Sequence, residues 1–85
     1  MEIEARFKEA QERVQTLASR PDNSTLLELY ALYKQGSQGD VQGKRPGMLD
    51  MKGRAKFDAW ASKKGTSPQE AMRKYVELVE RLLAG

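Results

Sequence analysis

The stretch GSQGDVQGKRPGMLDMKG, residues 36–53, decides the topology of this 85-residue chain. Its glycines and its proline follow no helical or alternating period, so it predicts a loop of about a dozen residues or more. A loop of this length is uncommon in a compact domain and is often functional. Short connections force antiparallel neighbours, whereas this crossover lets the helices on either side of it run in the same direction.

Two helices are predicted before the loop. Apolar residues from Ile3 to Leu17 recur at steps of four and three, which is typical of an amphipathic helix over residues 3–17. Pro21 ends this helix, because the residue before a proline avoids helical geometry, and residues 22–24 offer caps for the next one. The second helix is so dense in leucine and tyrosine that it is either central or presents part of its apolar face to a ligand.

Two further helices are predicted after the loop. Met51 to Lys64 forms the shorter one, which Gly65 stops. Residues 66–70 then supply a cap, a first-turn Pro68 and a first-turn acid, and a three/four-spaced stripe continues to the C-terminus as a helix of about 17 residues. No segment has the pattern of a strand. The sequence therefore predicts an all-α four-helix bundle with a long crossover between helices 2 and 3.

Composition limits the chemistry of the chain. It has no cysteine and no histidine, so disulfides, the usual zinc ligands and Ser-His or Cys-His catalytic pairs are excluded. No apolar run approaches the ~18 residues of a membrane span, and no signal-peptide pattern is evident. We expect one domain over residues 1–85, without stable membrane insertion and cytoplasmic by default.

Positive charge is concentrated in the middle of the chain. Residues 34–64 hold eight lysines and arginines against three acidic residues, within a net charge of +3 for the whole chain. Such a cluster attracts an anionic partner, namely phosphate, nucleic acid or a lipid head group. The alternative is a solvated basic face that keeps the protein soluble.

Two helix faces carry candidate binding residues. On an ideal helix, one arc of about 120° holds two leucines, two tyrosines and a lysine of helix 2, namely Leu26, Leu27, Tyr30, Tyr33 and Lys34. Helix 3 aligns Lys52, Lys56 and Lys63 beside aromatic residues. The other interpretation is half-buried tyrosines with a snorkelling lysine. Taken as a site, these residues suit an anionic, partly apolar ligand, and the choice among nucleotide, nucleic acid and lipid stays open.

Several longer strings resemble the acyl-CoA-binding protein family over essentially the whole chain. They are YALYKQGSQGD from Tyr30, KRPGMLD from Lys44, GRAKFDAW from Gly53, KGTS from Lys64 and AMRKY from Ala71. The resemblance implies an up-down-down-up bundle that binds medium- to long-chain fatty acyl-CoA non-covalently in a shallow bowl.

The resemblance also implies roles for individual residues. Tyr30, Lys34 and Lys56 match the family's clamp on the CoA 3′-phosphate, and Tyr33 matches its adenine-contacting tyrosine. Further ligand contacts are implied for Lys52, Tyr75, Leu26, Leu27 and Ala10, the last three lining the bowl near the acyl chain and the nucleotide. Gln15 stands where many members have a basic residue, and Phe57 replaces a frequent tryptophan.

A carrier must release its thioester intact, so we expect no enzymatic activity and no cofactor beside the fatty acyl-CoA ligand, and a monomer. Two other functions are weighed against this one. The leucine-rich arc is also compatible with docking of a partner helix, which would make the chain a protein-interaction module. A nucleic-acid-binding bundle is disfavoured, because helix 3 offers lysines beside aromatics rather than side chains that read base edges.

Overall fold

The computed structural model describes residues 2–85 and consists of helices joined by loops. The helices are α1 Ile3–Arg13, a 3₁₀ turn Val14–Thr16, α2 Asn23–Gln38, α3 Met51–Ala61 and α4 Pro68–Ala84. No strand occurs in this part of the chain. The all-α class and the four helices are therefore confirmed.

Side-chain caps fix where three of the helices begin. The Asp22 carboxylate accepts a hydrogen bond from the Thr25 amide at 2.8 Å, which also holds the pKa of Asp22 below its usual range. Asp50 accepts from the Gly53 amide at 3.0 Å, and the Ser67 hydroxyl accepts from the Glu70 amide at 3.1 Å. Each cap satisfies an amide that has no partner within its own helix, so α2, α3 and α4 start where the sequence signals predicted.

Helix α2 extends beyond Gly36, where the sequence predicted that the loop begins. It continues through Gly36 to Gln38, and the loop begins only at Gly39, whose φ of 82° breaks the helix. Gly36 is buried, and a Cβ atom there would lie 3.1 Å from both Phe7 and Met72. Gly36 is therefore a point of close packing among three helices, and its place in the predicted loop was wrong.

The ends of α1 and α3 also differ from the prediction. The first helix tightens into a 3₁₀ turn after Arg13, and the Thr16 hydroxyl donates to the Arg13 carbonyl at 2.7 Å. Helix α3 ends at Ala61 rather than Lys64, since the next residues form turns that close at Gly65, where φ is 91°. Both differences are changes within a last turn, where helix ends commonly tighten or fray.

The packing of the helices gives the expected up-down-down-up order. Helix α4 packs against both α1 and α2, whereas α3 packs against α2 alone among the described helices. Phe7 lies beside Gly36 while Val14 shares a groove with Leu26, so α1 and α2 run in opposite directions. Phe7 contacts Tyr75 while Leu17 borders Leu82, so α1 and α4 run in the same direction.

Helices α2 and α3 are parallel, an arrangement that the long crossover allows and that the family resemblance implied. Three pairs with the same sequence offset lie side by side along them: Leu26 with Lys52, Tyr30 with Lys56, and Lys34 with Trp60. A constant offset between neighbouring helices is possible only when both run in the same direction. The crossover thus places the lysines of α3 beside the tyrosines of α2.

A small polar cluster holds the crossover in place. Gln35 is fully buried, and its amide donates to Asp40 at 2.8 Å and to the Thr66 carbonyl at 2.7 Å. Asp40 also accepts from the Gly65 amide at 2.9 Å, and the Trp60 indole donates to the Gly39 carbonyl at 2.8 Å. The C-terminal end of α3 is therefore anchored to the start of the crossover: Gly39 holds Trp60 in the last turn of α3, and Gln35 and Asp40 hold the segment that follows it.

Candidate functional site

Two grooves share helix α2, one on each side of it. The first, here called the tyrosine groove, has a volume of about 440 Å³. It lies where α1 and α2 splay apart over α4 and is lined by Val14, Leu17, Ser19, Arg20, Pro21, Leu26, Leu29, Tyr30, Tyr33 and Tyr75. The second, the lysine groove, lies between α2 and α3, has a volume of about 520 Å³ and is lined by Arg20, Asn23, Leu26, Leu27, Met51, Lys52, Ala55 and Lys56.

The wall of the tyrosine groove is built around Phe7. Its ring lies 6.1 Å from the Tyr33 ring and meets the Tyr75 ring edge-on at 5.1 Å. Tyr75 is only 5% exposed, whereas Tyr33 is 38% exposed, so one tyrosine belongs to the core and the other presents its face to solvent. An exposed aromatic face that is held from behind is suited to stacking against a planar ligand.

The surroundings of Tyr75 disfavour ionisation of its phenol. Burial, and to a smaller extent the neighbouring Tyr33, raises the pKa of the Tyr75 phenol. A buried phenol in its neutral form is a hydrogen-bond donor at neutral pH. Its hydroxyl bonds to no other residue between 2 and 85, which leaves the donor to whatever occupies the groove.

Lysines and aromatic rings alternate across the interface of α2 and α3. The Lys56 ammonium lies 5.4 Å from the centre of the Tyr30 ring, and the Lys34 ammonium lies 4.9 Å from the centre of the Trp60 ring. We call these four residues the cation–aromatic ladder. Each ring orients an ammonium group by cation–π attraction without neutralising its charge.

The lysines of this region keep their charge uncompensated. Lys34, Lys52 and Lys56 form no ion pair with any residue in the described part of the chain. By contrast, Lys63 is paired with Glu28 at 2.6 Å, and Arg45 is held by two bonds to Asp58 at 2.9 and 2.7 Å. Three cations without acidic partners on one side of α2 favour an anionic ligand.

The structure brings most of the sequence-predicted residues together. Tyr30, Tyr33 and Tyr75 border the tyrosine groove, Leu27, Lys52 and Lys56 border the lysine groove, and Leu26 borders both. Lys34 is half-buried and joins the site through the ladder rather than through a groove wall. Ala10 lies apart from them, because it is 4% exposed in the core between α1 and α4 and lines neither groove.

Other residues of the site were missed from the sequence. Arg20 borders both grooves from the α1–α2 connection, and its guanidinium has no ion-pair partner in residues 2–85. Met51 and Ala55 complete the lysine groove, and Trp60 belongs to the ladder. The sequence signal for Trp60 was its place beside the lysines of helix 3, whereas Arg20 stood beside the helix-ending Pro21 and indicated only a helix boundary.

The site is suited to binding an amphipathic anion. It joins a tyrosine-lined pocket, a set of uncompensated ammonium groups and an apolar trough on successive sides of one helix. Residues 2–85 contain no cluster of three or more metal-ligating side chains. A ligand that matches all three parts is a planar, phosphorylated head attached to an apolar chain.

Comparison with known proteins agrees with this geometry. The family model described as "Acyl CoA binding protein" matches residues 4–79. An acyl-CoA-binding protein homolog of Manduca sexta is 48% identical over 85 residues, which cover 99% of this chain and 94% of the relative. Acyl-CoA-binding protein homolog 1 of Caenorhabditis elegans is 50% identical over 78 residues, covering 92% of this chain and 91% of the relative.

Solved structures show the same fold. The crystal structure of Oryza sativa acyl-CoA-binding protein 2 superimposes with a TM-score of 0.92 at 40% identity, covering 96% of this chain and 89% of that one. The crystal structure of the acyl-CoA-binding protein from Moniliophthora perniciosa gives a TM-score of 0.89 at 41% identity, covering 99% and 82%. The bundle and its crossover are thus shared with both proteins.

Proposed function

The chain belongs to the acyl-CoA-binding protein family and binds fatty acyl-CoA without transforming it; from this premise, we propose that its two grooves and its ladder divide the ligand among them. The division follows from the chemistry of each part. The ladder takes the phosphate, the tyrosine groove takes the adenine ring, and the lysine groove takes the acyl chain.

The phosphate end rests on Tyr30, Lys34 and Lys56. Lys56 lies over the Tyr30 ring, and Lys34 lies one turn further along the same interface. Two ammonium groups and a phenol hydroxyl give a dianionic phosphate several charge-assisted hydrogen bonds, which are stronger than neutral ones. This group supplies selectivity for CoA esters over free fatty acids and detergents.

The adenine and the acyl chain use the apolar surfaces on either side. The exposed face of Tyr33 stacks on the base, and the hydroxyl of Tyr75 supplies a donor within the same groove. Leu26, Leu27 and Met51 line the trough for the acyl chain. Burial of a methylene contributes about 0.8 kcal/mol, so covering about ten of them provides several kcal/mol.

The function in the cell follows from reversible binding. We propose a monomeric, cytoplasmic carrier that sequesters and transports medium- to long-chain acyl-CoA as a single domain over residues 1–85, with no cofactor. No helix of residues 2–85 combines the length and the apolar character that crossing a bilayer requires. Lys52, at the wall of the lysine groove, and Ala10 remain proposed ligand contacts.

A titration with three ligands tests the proposed function. Palmitoyl-CoA, free CoA and duplex DNA are added to the same protein at low and at high salt, and heat is measured. The proposal requires tight binding of palmitoyl-CoA, much weaker binding of CoA and no binding of DNA. Equal binding of palmitoyl-CoA and DNA, lost together at high salt, would indicate a non-specific basic surface instead.

A further inference from the structure

Three apolar side chains stand exposed where the crossover meets α3. Met48 is 80% exposed, Leu49 is 101% exposed and Met51 is 77% exposed. We call these three residues the apolar tip. They make up three of the four large apolar side chains exposed in residues 2–85, the other being Tyr33 in its groove. A concentration of such side chains in one place is typical of an interaction site.

The tip is surrounded by positive charge. Residues 44–56 contain five lysines and arginines and one acidic residue, Asp50, whose carboxylate is engaged in capping α3. Arg45 is neutralised by Asp58, but Lys44 and Lys52 have no ion-pair partner in the part of the chain described here. An apolar tip flanked by free cations is complementary to an anionic interface with an apolar interior.

The tip is continuous with the lysine groove. Met51 belongs to both, since it lines the groove while most of its side chain remains exposed. Lys52 also lines that groove, so one of the two cations that flank the tip stands at the groove's mouth. A surface docked on the tip would therefore face the end of the groove that opens between the first turns of α2 and α3.

We propose that the apolar tip docks reversibly on the surface of a lipid bilayer that contains anionic lipids. Met48 and Leu49 enter the interfacial region, and Lys44 and Lys52 lie among the anionic head groups. The three side chains, two on the crossover and one on the first turn of α3, offer far less than the roughly 800 Å² that each partner buries in a stable protein interface, so a bilayer fits better than a second protein. The docking itself is independent of the proposed function. Only its consequence, delivery of acyl-CoA at the membrane, rests on it.

Vesicle flotation with the ligand-free protein tests this proposal. The vesicles consist of phosphatidylcholine alone or of equimolar phosphatidylcholine and phosphatidylserine. We expect flotation only with the anionic vesicles. The double variant Met48→Ser with Leu49→Ser should reduce partitioning at least tenfold, and Lys44→Ala should reduce it about fivefold. Lys74→Ala on α4, far from the tip, is the matched control and should float like the wild type.

The outcomes separate docking from ligand binding. Calorimetry with palmitoyl-CoA should give the wild-type affinity for the double variant, because Met48 and Leu49 lie outside both grooves. Wild-type flotation of the double variant, or equal loss in Lys74→Ala, would overturn the proposal. The proposal would also be overturned if the wild type did not float with anionic vesicles. The same holds if sedimentation showed that the tip joins two copies of the chain. Failure of palmitoyl-CoA binding in the wild type would refute the proposed function instead.

Discussion

The Lys56 ammonium lies 5.4 Å from the centre of the Tyr30 ring, across the interface between two parallel helices. Tyr30 thus offers two things at once: a ring that orients the lysine and a hydroxyl for the ligand. Tyr30→Phe retains the ring and removes the hydroxyl. We expect it to lower palmitoyl-CoA affinity by about 1.5 kcal/mol, the lower range for a hydrogen bond to a charged group, as measured by calorimetry.

Tyr33→Phe is the matched control for this change. Tyr33 serves through its exposed ring face, so loss of its hydroxyl should change the affinity by less than about 0.5 kcal/mol, the lower limit for a neutral hydrogen bond. If both variants lost equal affinity, the distinction between a phosphate-binding and a base-stacking tyrosine would be wrong.

Arg20 should contribute to ligand binding, although the sequence did not indicate it as a site residue. Its side chain borders both grooves and is not ion-paired within residues 2–85. A position where the base-binding and acyl-binding grooves meet is close to the pyrophosphate of a ligand that spans them. Arg20→Met should therefore lower affinity for palmitoyl-CoA and for free CoA alike, by about 1.5 kcal/mol. An unchanged affinity for both ligands would place Arg20 outside the site.

Gly36 should tolerate no branched side chain. A Cβ atom added there would lie 3.1 Å from Phe7 and Met72, and the larger side chain of Gly36→Val would force α1 and α4 away from α2. We expect a loss of about 1–3 kcal/mol in the free energy of unfolding, measured with urea. Gly47→Val is the control, because nothing lies within 4 Å of its Cβ position. Equal stability of the two variants would show that the three helices have room to move apart.

Asp40 should make the fold sensitive to acid. The Gly65 amide, followed by Gln35, holds the pKa of Asp40 below its usual range. A lowered pKa in the folded state means that ionised Asp40 stabilises the fold above the ordinary aspartate pKa of about 3.9, and that this contribution disappears as pH falls through the lowered pKa. Asp40→Asn keeps an oxygen acceptor and removes the titration.

The comparison is made by urea unfolding of both proteins from neutral to acidic pH. Asp22, Asp58 and Glu70 also have lowered pKa values, so both proteins should lose stability in acid. The wild type should lose more stability in acid than Asp40→Asn, and the difference measures the contribution of ionised Asp40. If stability fell in parallel with pH in the two proteins, the hydrogen bonds of Asp40 would not depend on its charge.

The sequence predicted the fold wherever the deciding information was local. Caps at Asp22, Asp50 and Ser67 and the stripe of α4 depend on residues a few positions apart, and all of them are present. Loop length allowed the parallel pairing of α2 and α3, and the family resemblance implied it. Gly36 was placed in the loop because the local sequence does not distinguish a glycine that ends a helix from one that lets a neighbouring helix pack closely.

Periodicity alone predicted the site only within single helices, and the grouping of Tyr30 and Lys34 with Lys56 rested on the family resemblance. Helical projection grouped Tyr30 with Lys34 and Lys52 with Lys56, since these pairs lie on one helix. It gave no register between helices, so the pairing of Lys34 with Trp60 could not be read from it. Arg20 was missed for the same reason, because a residue in a connection acquires its position from the elements it joins.

The central claim is that the ladder recognises the 3′-phosphate, and one calorimetric comparison tests it most directly. Palmitoyl-CoA and its analogue without the 3′-phosphate are titrated into the wild type, Lys34→Met, Lys56→Met and the control Lys74→Met. Each ladder variant should lose roughly 1.5–3 kcal/mol toward palmitoyl-CoA, as expected for a bond to a charged group, and little toward the analogue. The control should bind both ligands like the wild type. Wild-type affinity of both ladder variants for palmitoyl-CoA, or equal losses toward the two ligands, would contradict the claim.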